Sequence, residues 1–313
     1  MALFTGEIKQ FRAYVPGITI NFSVPDVLPE LGQTQQRILP TFFGETLASQ
    51  LVALADEQDL TDPYKKQALH LARTAVARIG FAAYLPFCEV QIGDDGITIT
   101  AVEGRKAAFE YQTNKLTSSL LEVGWRAVDE LIRLVDSKPD LFPGWPDSPY
   151  YDEHQQALFK SPAEFSKYYP IQERWLTFWA LRPFIRAVEE NQGEAGKARI
   201  DALTDLQAAT RTSLEKKLLR ALAYQSVLEG LPFLSVELKG VNVQVNYASQ
   251  FGNATYFEPP SKDQLAFVTS NLERMADLAW SAFDTAVIAA SPAPIQEETM
   301  GQGILGGGPV TML

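Results

Sequence analysis

The sequence contains few of the residues from which catalytic and metal-binding sites are built. It has one cysteine, Cys88, and two histidines, His70 and His154, among 313 residues. A single cysteine excludes an internal disulfide and any site made of several cysteines, which fits a reducing compartment. Because Cys88 stands in an apolar stretch between Phe87 and Glu89, we expect it to be a buried small hydrophobic residue.

Neither histidine has neighbours at metal-ligand spacing. His70 lies between Leu69 and Leu71 in a helical pattern, and His154 follows polar residues in a loop. A Ser-His-Asp or Cys-His arrangement can still assemble in space from residues that are distant in sequence. We therefore predict no metal, no cofactor and no enzyme activity, and we keep an enzyme of unrecognised type as an alternative.

Long apolar runs and basic clusters are also absent. No run approaches the roughly 18 apolar residues that span a bilayer, so no membrane association is predicted. The chain has 27 lysines and arginines against 38 acidic residues, a net charge of −11. Because its basic residues are scattered in ones and twos, we expect no direct sequence-specific contact with nucleic acid.

Two short motifs match functional patterns by letters only. Gly301, Gly303 and Gly306 have the spacing of a dinucleotide-binding loop, but no strand precedes them and no helix follows. Asp94-Asp95-Gly96 lacks the later acidic ligand of a calcium loop, so it predicts a tight turn. Neither motif indicates a ligand.

The sequence is instead marked by internal similarity, since three groups of residues recur in the same order. The pairs are Phe11-Arg12-Ala13-Tyr14-Val15-Pro16 with Phe165-Ser166-Lys167-Tyr168-Tyr169-Pro170, Leu85-Pro86-Phe87 with Leu231-Pro232-Phe233, and Phe109-Glu110 with Phe257-Glu258. Their offsets are 154, 146 and 148 residues, and such collinearity is hard to obtain by chance. The chain is therefore predicted to contain one unit of roughly 150 residues twice.

Each copy is predicted to be a bundle of helices with one β-hairpin. Apolar helical patterns end at the two Leu-Pro-Phe groups, and strongly periodic patterns follow the two Phe-Glu groups. Alternating residues broken by glycine predict hairpins near 90–100 and 236–247. The predicted class is mainly α with small β-hairpins (α+β), a tandem duplication with units at 1–150 and 151–300. The sequence leaves open whether the units share one core.

Capping and proline signals place several helices. Asp62-Pro63 predicts the N-cap and first turn of a helix that reaches Tyr84. Ser161-Pro162-Ala163-Glu164 predicts a capping box. Pro40 and Pro183 are each expected to start or kink a helix, because proline lacks a donor and crowds the preceding turn.

Two segments carry aromatic residues whose placement matters for function. A predicted helix from about 171 to 190 has an aromatic and apolar stripe of Trp175, Phe178, Trp179, Phe184 and Ile185. We expect this stripe to pack in the core or between the copies, and a ligand cage is the alternative. The turn-rich boundary segment 138–149 is expected to pack against a unit through Leu141, Phe142 and Trp145.

The glycine-rich segment 301–313 is predicted to be a flexible tail. Glycine at nearly every other position prevents it from ordering itself. Its apolar residues are unusual for a solvated linker, and such segments often become ordered on a partner. We predict that the partner-binding residues are Ile304, Leu305, Val310, Met312 and Leu313.

Residues 158–171 (LFKSPAEFSKYYPI) and 181–189 (LRPFIRAVE) resemble a family found in the genomes of Bacteroidota, their prophages and phages. The layout of helical bundle, hairpin and glycine-rich tail is similar to that of phage head-to-tail adaptor proteins. That resemblance implies a virion protein that forms a ring beneath the portal, with C-terminal tails that reach the neighbouring ring. Ordinary adaptors carry one such bundle, so the duplication leaves ring size and symmetry open.

The leading hypothesis is therefore a structural virion protein, a head-to-tail connector subunit. Its partners would be further copies of itself in a ring, together with the portal and the tail or neck proteins. It would reside in the virion, and in the host cytoplasm during assembly. The alternative is a soluble module that binds a partner in a cleft between the repeats, lined by Trp175 and Trp179.

Overall fold

The computed structural model describes residues 2–57, 59–88, 90–93, 96–99, 110–148, 151, 157–204, 206–234, 236–239, 242–245 and 261–291. Among these residues, no helix is long and apolar enough to cross a membrane. The predicted tail at 301–313 and the boundary residues 149 and 150 fall outside them. The division at residue 150 therefore stays a prediction.

Three long helices form the body of the first unit. Its elements are α1 (Ile8–Arg12), α2 (Leu28–Ala53), α3 (Pro63–Cys88), β1 (Val90–Gly93), β2 (Gly96–Ile99) and α4 (Glu110–Ser137). Helix α3 packs against both α2 and α4. Its central position follows from its small side chains, because alanines on its buried faces allow neighbouring helices to approach closely. These alanines are Ala68, Ala72, Ala75, Ala77 and Ala82.

The second unit repeats this arrangement with one additional short helix. Its elements are α5 (Pro162–Ser166), α6 (Trp175–Val188), α7 (Glu194–Asp201), α8 (Ala208–Gly230), β3 (Val236–Lys239), β4 (Asn242–Val245) and α9 (Lys262–Ala290). Helix α8 packs against both α6 and α9, as α3 packs against α2 and α4. A single π-turn at Glu189–Gly193 carries α6 into α7. The internal similarity of the sequence is thus a repeat of helix packing.

The predicted fold class, α+β with one β-hairpin in each copy, is wrong as a class. The described core consists of helices and the loops between them. Within the described ranges, the strands have four residues each, and each pairs antiparallel with its chain neighbour and with no further strand. Such two-stranded ribbons are not stable layers on their own, so the chain is a helical protein. Alternation over so few residues was too weak a signal to define a class.

Side-chain caps fix two of the helix starts that the sequence indicates. The carboxylate of Asp62 accepts hydrogen bonds from the backbone N–H groups of Tyr64 and Lys65, both at 2.9 Å, which confirms the predicted cap of α3. At α5, Ser161 Oγ accepts a hydrogen bond from Glu164 N. The Glu164 carboxylate accepts from Lys160 N, whereas in a capping box it would accept from Ser161 N. Only half of that capping box forms.

Helix α2 is interrupted at Gly44, four residues after the proline that was expected to kink it. Pro40 lies inside the helix, whereas Gly44 has φ 73° and ψ 164°. A positive φ is strained for residues with a Cβ, and glycine adopts it freely. The break therefore lies at Gly44, which tolerates a positive φ, and not at Pro40, which lacks a backbone N–H.

The two units share one core, joined by stacked aromatic rings. Phe42 of α2 lies 6.0 Å from both Trp125 of α4 and Trp179 of α6, measured between ring centroids. Trp145, in the segment after α4, lies 6.3 Å from Trp179. Trp175 completes the cluster at 5.9 Å from Trp179. The prediction that the aromatic stripe packs in the core or between the copies is confirmed for Trp175 and Trp179, which lie between the copies.

Candidate functional site

The backbone at the junction between the units adopts a strained conformation that side chains of both units hold in place. Gln172 and Glu173, just before α6, have φ values of 57° and 53°. This left-handed conformation costs about 1 kcal/mol or more for each non-glycine residue. Ser166 Oγ accepts from Glu173 N at 3.0 Å, and Arg133 Nη2 of α4 donates to Glu173 O at 3.1 Å. The first unit thus holds the strained turn that delays α6 to Trp175, later than the predicted start near 171.

Asp129 of α4 caps the first turn of α6 across this junction. Its carboxylate accepts from Leu176 N at 3.0 Å, while the N-cap residue Arg174 makes no side-chain cap of its own. The backbone N–H groups of a first helical turn have no partners within the helix, and they favour negative charge. A carboxylate from one unit therefore orients the aromatic helix of the other.

Burial perturbs the protonation of this carboxylate. Asp129 is 7% exposed. Loss of solvent raises its pKa from 3.8 to about 6, against the opposing effects of the Leu176 N–H and of Arg174 and Arg133. Ionisation of Asp129 therefore costs free energy in the folded chain. Whether the carboxyl is protonated depends on pH in the range around 6.

Two further carboxylates tie loops to helices around the junction. Asp136 Oδ1 accepts from Trp145 Nε1 at 3.2 Å, which fixes the segment between the units. Glu189 Oε1 accepts from Leu158 N and Phe159 N at 3.1 and 3.3 Å. Burial raises the pKa of both carboxylates. The predicted packing of the boundary segment is confirmed, since Phe142 and Trp145 are both buried.

Each unit exposes a phenylalanine where its central helix ends. Phe87 and Phe233 are 51% and 77% exposed, and they are the third residues of the two Leu-Pro-Phe groups. Phe233 stacks on Phe184 at 5.6 Å, and Phe87 lies 6.1 Å from Tyr84. An exposed ring supported by a second ring is a preformed contact point. The repeat therefore places two equivalent aromatic contacts on one chain.

Helix α9 exposes a second set of apolar side chains. Phe267, Leu278 and Ile288 are 66%, 54% and 71% exposed, and they follow one another at about three-turn spacing. The residues 148 positions before Phe267 and Leu278 are Ser119 and Glu130 of α4. The apolar surface is thus specific to the second unit.

A polar groove of about 440 Å³ lies between α7, α8 and α9. Its lining includes Asn191, Gln192, Arg199, Gln225, Trp280 and Asp284. Arg199 and Asp284 form an ion pair at 2.7 Å within it. In the described ranges no three His, Cys, Asp or Glu residues come together as a metal site. The groove offers hydrogen-bonding groups, and its charged pair is already matched.

The sequence-predicted site residues are largely outside these features. Ile304, Leu305, Val310, Met312 and Leu313 lie outside the described residues, as does His154. His70 is exposed on α3, with its ring 5.3 Å from that of Tyr14. Cys88 is exposed, so the expectation that it is buried is wrong. It ends a helix that runs past Pro86 and beyond the packed residues.

The proposed cleft between the repeats has no exposed tryptophan lining. Trp175 and Trp179 are 4% and 5% exposed, because they fill the junction. Asp129, the most perturbed residue of that junction, was not identified from sequence. A usable signal was present, since Arg126, Asp129 and Asp136 recur as Arg274, Asp277 and Asp284 at the offset of 148 residues.

Comparison with known proteins identifies a family. The model described as "Family of unknown function (DUF6712)" matches residues 37–155 and 189–287. The two matched segments fall in the first and the second helical unit, respectively. No curated protein and no solved structure matches the chain.

Proposed function

Since the chain belongs to the DUF6712 family of unknown function, its role has to be argued from its own surfaces, and we propose that it is a structural virion protein. Specifically, it would be a head-to-tail connector subunit that assembles as a ring beneath a portal. It would act in the virion, after assembly in the host cytoplasm. The proposal assigns it no catalytic role.

The pair of exposed phenylalanines carries this proposal. Phe87 and Phe233 occupy equivalent places in the two units, and more than half of each side chain is in solvent. Large apolar side chains that stay exposed at defined positions are typical of contact surfaces. Two equivalent contacts on one rigidly joined chain suit a partner that itself presents repeated sites, such as a ring.

Self-assembly and docking would use different parts of the chain. A ring requires a contact between two different faces of neighbouring copies, which closes when the rotation is right. Docking on the portal and on the tail or neck proteins would use the Phe87 and Phe233 surfaces and the segment 301–313. The apolar residues of that segment, Ile304, Leu305, Val310, Met312 and Leu313, would become ordered on the adjoining ring.

The proposal is tested with the purified chain and the portal protein encoded in the same genome. Light scattering and negative-stain imaging should show a ring that binds the portal. The double variant Phe87→Ser/Phe233→Ser is expected to stay folded and to lose docking. Ile20→Ser is the matched control, because Ile20 is 70% exposed elsewhere on the chain. Deleting residues 301–313 should leave folding intact and abolish docking on the adjoining ring.

Two results would count against it. A wild-type chain with no affinity for any virion ring would remove the connector role. Docking that survives in the Phe87→Ser/Phe233→Ser variant would show that the equivalent phenylalanines are not the contact points.

A further inference from the structure

Helices α4 and α9 can be aligned residue by residue. At the offset of 148, each of the five buried positions of α9 that has a counterpart in α4 coincides with a buried position of α4. The pairs are Leu120 with Val268, Gly124 with Leu272, Val128 with Ala276, Leu131 with Ala279, and Val135 with Phe283. The two helices therefore present the same faces to their own units.

Helix α4 also buries a second face, where Trp125 packs on Phe42 of its own unit and Asp129 contacts the second unit. Trp125, Asp129 and Ile132 on this face are all buried. Asp129 and Arg133 bind backbone groups of residues 173–176 in the second unit. This face is the helical contact by which one unit holds the next.

The equivalent face of α9 is open. Glu273, Asp277 and Ser281, the counterparts of Trp125, Asp129 and Arg133, are exposed, and Trp280, the counterpart of Ile132, is only half-buried. The aspartate is the same residue in both helices, although only Asp129 has a covering unit. Leu278, 54% exposed, stands beside Asp277. Among the residues that the structure describes, the second unit thus carries the contact face of the first with no further unit packed over it.

We propose that this face of α9, centred on Asp277, binds α2 in the first unit of a second copy of the chain. Copies would then associate head to tail through the helix contact that already joins the two units within one chain. The inference rests on the proposed self-assembling function and specifies the surface that drives it. The second unit follows the first at the equivalent face of α4. By the same order, the unit that would follow α9 is the first unit of another copy.

The surface of α2 is chemically matched to this role. If Pro40 is aligned with Pro183, the residue equivalent to Leu176 is Gln33, which lies inside α2 and so offers its side-chain amide in place of the backbone N–H that Leu176 donates to Asp129. Gln33 and Gln36 are exposed and carry amide donors, and the exposed Arg37 adds a positive charge. On the other side, Glu273 and Asp277 supply acceptors and negative charge. The two faces are therefore complementary in charge and in hydrogen bonding.

Two variants that damage opposite faces test the proposal. Asp277→Arg alters the α9 face, and Gln33→Glu/Gln36→Glu adds negative charge to the α2 face without changing side-chain size. Each is expected to raise the dissociation constant for self-association about tenfold or more, measured by sedimentation, because a like charge opposes each contact. Glu130→Arg, the same kind of charge reversal on an exposed part of α4, is the control and should assemble as the wild type does.

Mixing the two defective variants decides the geometry. In a head-to-tail contact the mixture retains one intact pair of faces, so it should form complexes of two copies that neither variant forms alone. If Asp277→Arg is defective while Gln33→Glu/Gln36→Glu assembles as the wild type does, α9 pairs with α9 and the head-to-tail contact is wrong. If Asp277→Arg assembles normally, or if the wild type is monomeric at all concentrations, the inference fails. Self-association through α9 without portal binding would instead refute the connector role alone.

Discussion

Replacing Asp129 with asparagine is expected to change how the stability of the chain depends on pH. In the folded chain burial raises the pKa of Asp129 to about 6, whereas an unfolded chain leaves it near 3.8. Between these values the folded state binds a proton that the unfolded state does not. The free energy of unfolding therefore falls as pH rises from about 4 to about 6, and this contribution is constant above that range.

The size of the effect follows from the difference between the two values. One pKa unit corresponds to about 1.4 kcal/mol, so protonation of Asp129 contributes roughly 3 kcal/mol of additional stability when pH falls from 7 to below 4. Asparagine cannot ionise, but its Oδ1 can still accept from Leu176 N. The variant should keep the cap and lose this part of the pH dependence.

Urea denaturation of both chains from pH 4 to pH 7.5 measures this contribution. Asp136 and Glu189, whose pKa values burial also raises, are common to both chains and cancel in the difference. Asp277→Asn is the matched control, because Asp277 is exposed at the equivalent place on α9, and it should follow the wild-type curve at low protein concentration. Parallel curves for the wild type and Asp129→Asn would refute the claim that the buried carboxylate is protonated near pH 6.

Two further predictions concern packing. Trp179→Ala should lower the free energy of unfolding by about 3–5 kcal/mol, since it empties the aromatic junction, whereas the exposed Phe267→Ala should change it by less than about 0.5 kcal/mol in the same denaturation assay. Equal effects would mean that the junction is not a packed core. Gly124→Ala should cost about 1–3 kcal/mol, because its new Cβ would lie 2.5 Å from Ile79 Cγ1. Gly32→Ala, with no atom within 4 Å of the new Cβ, should gain up to about 1 kcal/mol. A gain at Gly124 would contradict the close packing of α3 against α4, and a loss at Gly32 would contradict the open space beside it.

Local signals predicted the parts of the fold that depend on local physics. The start of α3 follows from Asp62-Pro63, whose side chain and fixed φ act within one turn. Burial of Trp145 and of the α6 stripe follows from the large apolar area of aromatic side chains. The repeat was visible because its anchors are packing residues that both units need.

Features set by tertiary contacts were not predictable in the same way. The start of α6 at Trp175 depends on a strained turn held by Arg133, which is 40 residues away in sequence. The exposure of Cys88 depends on where the packed part of α3 stops, and its apolar sequence neighbours do not reveal that. The break of α2 lies at Gly44, where φ is positive, and not at Pro40, the residue that sequence rules single out.

The paired aspartates show why one sequence position does not define one environment. Asp129 and Asp277 lie at the same place in helices that bury the same face. Asp129 is nevertheless 7% exposed with a raised pKa, while Asp277 is exposed. Among the described residues, the second unit packs over Asp129 of α4, and no element packs over Asp277 of α9. Asp277 is exposed, yet it stands at the position of Asp129, which caps the neighbouring unit. We therefore expect the contact between copies to involve α9.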